Sequence, residues 1–457
     1  MVSNKPARLV AHTAELDQLH ERLDNLQRGA VPLRCLVNLC GVYGIGKRTL
    51  LTHLDQRTLL PDDIVKLRLA LPILPPSARF VPLALKQALL DQIAACHPAL
   101  TISPAPINDL NADAALTGLA GQLIEQSTCC LFLLDATVRG TPIAFNWLER
   151  GLLLPLVRTD HVIATIISRS PLRWREFDTR RRAEIMVLAP LSLEETALHL
   201  QLSIPEAEII YGLTSGLPLA NELALQMQAY LPVPSEWETG HKADLMDQIL
   251  DALYQLVGPD LSPVLQCALE VLSVVREFSV PLMQRLIQHT CGTTSETARQ
   301  TFLLLMVKQL QELDLVIWDQ ASLSYRVAPT LRRIIGTYVR YTDPERYEAI
   351  RQLVTDYYRQ MLDEVLVSRH IHLVEFLWHL LDTPIPSEHR PAHLLRGLVT
   401  RYLVSPDGRQ IDDEEMSQLQ MYLVTDPDLP AVLRRYGTHS QELVAMLEAQ
   451  LSNDVAA

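Results

Sequence analysis

The stretch RCLVNLCGVYGIGKRTLL, residues 34–51, decides how the rest of the chain is read. Its first part is an apolar run of strand length. Its second part sets Gly41, Gly44, Gly46 and Lys47 in the spacing G-x-x-x-x-G-K just before a helical pattern. Glycines at these places let the backbone wrap a phosphate closely with its amides turned inward. The following helix adds its positive end, and the Lys47 ammonium supplies a charge for β- and γ-phosphates. Gly41, Gly44, Ile45, Gly46, Lys47, Arg48, Thr49 and Leu50 are therefore the candidate phosphate contacts.

The residue after the lysine departs from the pattern. A hydroxyl at that place ordinarily binds magnesium, but here it is Arg48, and Thr49 comes one position late. Magnesium is thereby put in question. Arg48 either carries its charge to where the metal would stand or turns to solvent, the more ordinary behaviour of an arginine on a helix. A metal site, if formed, would use Thr49 and Asp135. Asp135 ends the apolar run CCLFLLD (129–135), expected on a strand neighbouring residues 34–40, because adjacent parallel strands lie about 4.8 Å apart and share one crevice at their C-terminal ends. Ala136 follows where a hydrolytic site carries an acid to polarise water, and Glu149 is the nearest acid that could substitute. The run VIATIISRS (162–170) delivers Arg169, whose guanidinium is suited to reading a γ-phosphate. Asp135 and Arg169 are the candidate catalytic residues; the arginines from Arg173 to Arg182 are either a phosphate or partner contact or a solvated basic loop.

Outward from this centre, AELDQLHERLDNLQR (14–28) puts Leu16, Leu19, Leu23 and Leu26 on one helical stripe. IVKLRLA (64–70) and EIMVLA (184–189) are further strand-length runs separated by helical segments. That alternation predicts an α/β domain over residues 1–190 with a parallel sheet. Ser192 and Glu195 form a capping-box pattern opening a helical subdomain over 191–240, which closes on the linker-like LPVPSEWETG. Residues 241–341 read as helices ending in LDLVIWDQASLSYRVA, two β-prone runs joined by a polar turn like the hairpin of a winged helix. Residues 342–457 read as an α-helical tail, with Tyr347, Ile350, Val354 and Tyr357 on one stripe.

Forty Lys and Arg against 53 Asp and Glu leave a net charge of −13, which disfavours nucleic acid as a partner. Seven cysteines, odd in number and mostly in apolar surroundings, point to a reducing cytoplasm. The N-terminal MVSNKPARL has no apolar signal core, and no stretch approaches the roughly 20 apolar residues that span a bilayer, so neither export nor a membrane partner is expected.

Taken together, the loop at 41–49, Asp135, Arg169, the LAPLSLEE segment (188–195) and Gly216-Leu217-Pro218-Leu219 stand in an order that resembles the signal-transduction ATPases with numerous domains, the STAND class that includes NB-ARC proteins. The resemblance covers most of the chain. It implies a P-loop core followed by helical, winged-helix-like and helical C-terminal domains, ATP or ADP as cofactor, and a place near the adenine for Pro218. Residues Leu9 to Leu16 are similar to that family's N-terminal box, which implies a base contact for Val10, yet the Gly-Arg-Glu of the box is replaced by Ala11, His12 and Thr13. In the segment Tyr325 to Leu331 the histidine and acid of the family's nucleotide latch are Ala328 and Pro329.

These readings predict a nucleotide-binding regulatory or scaffold protein that acts through protein partners or self-association and hydrolyses little. The alternatives are a slow ATPase switch and a winged-helix transcription regulator. Against the last, TFLLLMVKQLQELDL (301–315) carries Lys308 as its one basic residue.

Overall fold

The computed structural model describes residues 12–28, 32–57, 64–71, 73–74, 80–97, 99–101, 109–126, 129–138, 141–290, 300–320, 322–365, 369–382, 391–402, 413–426 and 428–455. The chain divides into two units, residues 1–261 with 310–315 and residues 262–309 with 316–457. Residue 240, expected to close a subdomain, falls inside the first unit, in the first turn of the helix Thr239–Val257.

In the first unit five parallel strands are found among the described residues: β1 (Leu36–Cys40), β2 (Ile64–Ala70), β3 (Cys129–Ala136), β4 (Val162–Ser168) and β5 (Ala183–Val187), in the order β2-β3-β4-β1-β5. β1, β3 and β4 are buried throughout, as continuous apolar runs covered on both faces must be. The parallel α/β sheet expected from the alternating runs is therefore present. One detail differs. β3 does not neighbour β1, because β4 lies between them. The register still aligns their ends, with Leu39 level with Ile167 and Ile167 level with Asp135. Asp135 thus stands two strand spacings, roughly 10 Å, from the end of β1. Local sequence fixes each strand but carries no signal for which strands pair.

Leu16, Leu19 and Leu23 of the helix Thr13–Gln27 are buried as their spacing predicts. The predicted capping box forms: Ser192 Oγ accepts from Glu195 N at 3.1 Å and Ser192 N donates to Glu195 Oε2 at 2.7 Å. It opens the helix Leu193–Leu200, followed by Ile204–Thr214 and Pro218–Gln228.

The second unit begins with helices Pro263–Val274 and Val280–Thr290. Strands β6 (Val316–Asp319) and β7 (Ser324–Val327) pair antiparallel over the predicted hairpin, and Phe278 adds a bridge to Tyr325. Tyr347, Ile350, Val354 and Tyr357 are buried on the helix Pro344–Glu364. The buried Arg276 pairs with Glu375 at 2.8 Å and with Asp426. Cys267 is disulfide-bonded, contrary to the expectation that the cysteines are reduced, whereas Cys35, Cys40, Cys96, Cys129 and Cys130 are free thiols. Among the described residues no helix is long and apolar enough to cross a membrane.

Candidate functional site

β1 runs into the glycine loop, and the helix Lys47–Arg57 begins at its far end. Gly44 and Gly46 have φ of 76° and 95°, the left-handed region that favours glycine. At Gly44 there is also no room for a side chain, since a Cβ would lie 2.9 Å from Leu219 Cβ. Leu219 N donates to Gly44 O at 3.1 Å, so the helix carrying Pro218 is fastened directly onto the loop.

Lys47 is buried beneath the loop, where its Nζ donates to the carbonyls of Gly41 at 2.5 Å and Val42 at 2.8 Å. Burial pushes its ammonium down to about 8, with Cys40 opposing and Arg169 assisting that shift. The position of Arg169 is set by the end of β4. Buried Asn38 donates to Ile166 O at 3.1 Å and Ser168 Oγ at 2.8 Å, and accepts from Leu172 N at 2.9 Å. Arg169 then donates from Nη1 to Tyr43 Oη at 2.5 Å and places Nε 3.3 Å from Asp314 Oδ2. Burial raises the Asp314 carboxyl above its usual value even though Arg169 pulls it down.

Arg48 is largely exposed, the orientation the sequence favoured, yet it is tied to the end of β3. Its Nε donates to Asp135 Oδ2 at 2.7 Å and its Nη2 to Thr137 Oγ1 at 3.0 Å. Asp135 Oδ1 accepts from Thr137 N at 3.0 Å and Thr137 Oγ1 at 2.6 Å. Burial pushes the Asp135 carboxyl up, but these bonds from Thr137 and Arg48 outweigh it and hold the group below its usual value. Magnesium does not fit this donor set. A cation already stands at the place of the metal-binding hydroxyl, and both oxygens of Asp135 are engaged. Thr49 lies about 100° further round the helix.

A cavity of about 360 Å³ joins these parts, within the range of small-molecule sites. Of the residues singled out in the sequence, Gly44, Ile45, Gly46, Lys47, Arg48, Thr49, Leu50, Arg169 and Pro218 line it. Gly41 contributes the carbonyl to Lys47, and Asp135 stands behind Arg48 and Thr137. Val10 lies outside the described residues. Glu149 is not available as a water-activating acid. It is buried and accepts from Arg175 N and Glu176 N at 3.1 Å and from Thr179 Oγ1 at 2.5 Å, fastening the stretch that leads into the helix Phe177–Arg182. Arg173, Arg175, Arg180 and Arg181 are exposed.

Sequence reasoning missed several lining residues. His12 Nε2 is 2.9 Å from Ile45 O. His199 Nε2 is 3.1 Å from Glu222 Oε1, a contact that lowers the Glu222 carboxyl, and His199 Nδ1 is buried without a partner among the described residues. Glu222 stands four residues after Pro218 on the same helix, one turn along the same face, and that spacing could have found it.

The strand order, the glycine loop and the buried lysine define the fold of the P-loop nucleoside triphosphatases. No protein-family model matches the chain, and neither does any curated protein. Among solved structures it is similar to a Walker-type ATPase of Pyrococcus abyssi, at 15% identity and a TM-score of 0.43 over 73% of this chain and 99% of that one. It is also similar to a STAND protein with a tetratricopeptide-repeat sensor from Pyrococcus horikoshii, at 14% identity and 0.31 over 94% of this chain and 57% of that one. A third is the Orc1 protein of Aeropyrum pernix in complex with DNA, at 15% identity and 0.39 over 75% and 95%. Likenesses of this size carry no argument about activity.

Proposed function

We propose that this chain is a STAND-like regulatory module that holds ATP or ADP at the glycine loop and acts through a protein partner or self-association, with little hydrolysis. The observation that supports it best is the single cavity bringing together the loop, Lys47 and Arg169 with the apolar Pro218, Leu219 and Leu256. The loop amides, Lys47 and Arg169 would hold the phosphates. Pro218 and Leu219 would cover the base, and the unpartnered His199 Nδ1 with Glu222 would supply polar contacts at that end. Little hydrolysis follows from the absence of a water-activating acid at Ala136 and from the engagement of Glu149 by the amides of Arg175 and Glu176 and the hydroxyl of Thr179. Binding is then the output, and nucleotide biases the packing of the elements around it.

The helix-rich region with its hairpin β6–β7 favours a winged-helix reading of residues 241–341. A protein surface suits it better than DNA, given the net charge of −13 and Lys308 as the one basic residue in 301–315. Retardation of duplex DNA at moderate salt would overturn that preference. The reading as a whole is tested by denaturing purified protein and analysing the supernatant, then titrating the protein with ATP and ADP. It predicts released adenine nucleotide or saturable uptake; neither, in the presence or absence of magnesium, would sink it.

A further inference from the structure

We propose that Arg48 is the protein's own counter-cation for the bound phosphates and stands in for divalent metal, so that nucleotide binding at this loop is metal-independent. The inference rests on the nucleotide reading above and adds how the phosphate charge is met.

Three observations carry it. Arg48 occupies the first turn of the helix that follows the glycines, where a side chain turned to the cavity meets the phosphates. Its side chain is 62% exposed, yet it is held in place: Nε is fixed to Asp135 and Nη2 to Thr137, and the Nη1 hydrogens and the second Nη2 hydrogen have no partner among the described residues. Those free hydrogens belong to a planar fork of the kind that grips phosphate oxygens in pairs. Asp135 is the carboxylate that would otherwise orient a metal, and here its charge fixes the guanidinium. The reach also fits. From the helix after the loop Arg48 bonds Asp135 at 2.7 Å, although β4 lies between β1 and β3.

An arginine at this place does more than make the metal unnecessary. A magnesium ion brought in on the nucleotide would face the guanidinium at close range, and two like charges in a part-buried cavity repel strongly. Magnesium is therefore expected to leave affinity unchanged or to weaken it.

The test is equilibrium binding of ADP and ATP to the full chain, once with a chelator and once with excess magnesium, for the wild type, Arg48→Thr and Lys47→Ala. Arg48 is exposed, so Arg48→Thr is expected to fold, and its unfolding transition checks this. The wild type should bind as tightly with chelator as with magnesium, or more tightly. Arg48→Thr, with a hydroxyl at position 48 and a free Asp135, should lose affinity in chelator and regain at least about ten-fold on addition of magnesium. Wild-type binding that needs magnesium, or metal independence that survives in Arg48→Thr, would overturn the inference while leaving the nucleotide reading intact. Absence of binding to the wild type under both conditions would overturn both.

Discussion

Arg169, which lines the cavity, forms an ion pair with Asp314, with Nε 3.3 Å from Oδ2, although 145 positions separate them in the chain. Asp314 belongs to the short segment 310–315 that joins the first unit, and Leu313 O of the same segment accepts from Tyr43 Oη at 3.0 Å. A carboxylate thus occupies the guanidinium that the sequence assigns to reading a γ-phosphate. If ATP is bound as proposed, its terminal phosphate would compete with Asp314 for Arg169.

Asp314→Asn removes the competing charge. ATP affinity is expected to rise by about two- to five-fold, on the scale of a partly exposed ion pair, with ADP affinity changed much less. Titration of both nucleotides decides it; an equal change for ATP and ADP would remove Arg169 from the role of γ-phosphate reader.

The Lys47 ammonium, pushed down to about 8 by burial, gives binding a pH dependence. Phosphate favours the charged form, so the bound protein has the higher value. Affinity is then level below the free-state value and falls as pH rises through about 8, by up to ten-fold per unit until the bound-state value is passed. A flat profile across this window would show that Lys47 does not carry the phosphate charge.

Gly44 carries both a positive φ and a close approach to Leu219. Gly44→Ala is expected to cost about 1–3 kcal/mol in denaturant unfolding and to loosen the link between the loop and the helix Pro218–Gln228. Wild-type stability in this variant would mean that the left-handed turn is not held in solution.

Turnover of ATP should stay below roughly 1 per second, the lower edge of ordinary enzyme rates. Ala136 leaves the water-activating place without an acid, and positioned acid or base groups contribute on the order of 100- to 10,000-fold. Phosphate-release kinetics check this directly, and a faster rate would favour the ATPase switch.

The strands, the loop and the capping box were legible because each is set by residues close together in the chain. The insertion of β4 between β1 and β3 was not, since strand pairing is decided by long-range packing. Arg48 shows the same limit at one residue: its helix position was evident, but whether it faced solvent or Asp135 depended on a partner 87 positions away. Glu149 looked available as a nearby acid until the wider helical turn Glu149–Leu153 placed its carboxylate under the amides of Arg175 and Glu176. His199 and Glu222 meet only because two helices pack side by side, which no spacing in the sequence records.

Lys47 is the side chain on which nucleotide binding at the loop most directly depends. Titration of ADP and ATP into the wild type and into Lys47→Ala, with folding of both verified by their unfolding transitions, is predicted to give saturable one-to-one binding to the wild type and at least about 100-fold weaker binding to the variant, the loss of a buried charge-assisted contact. Equal affinity in the two proteins would contradict the claim that this loop holds nucleotide phosphate.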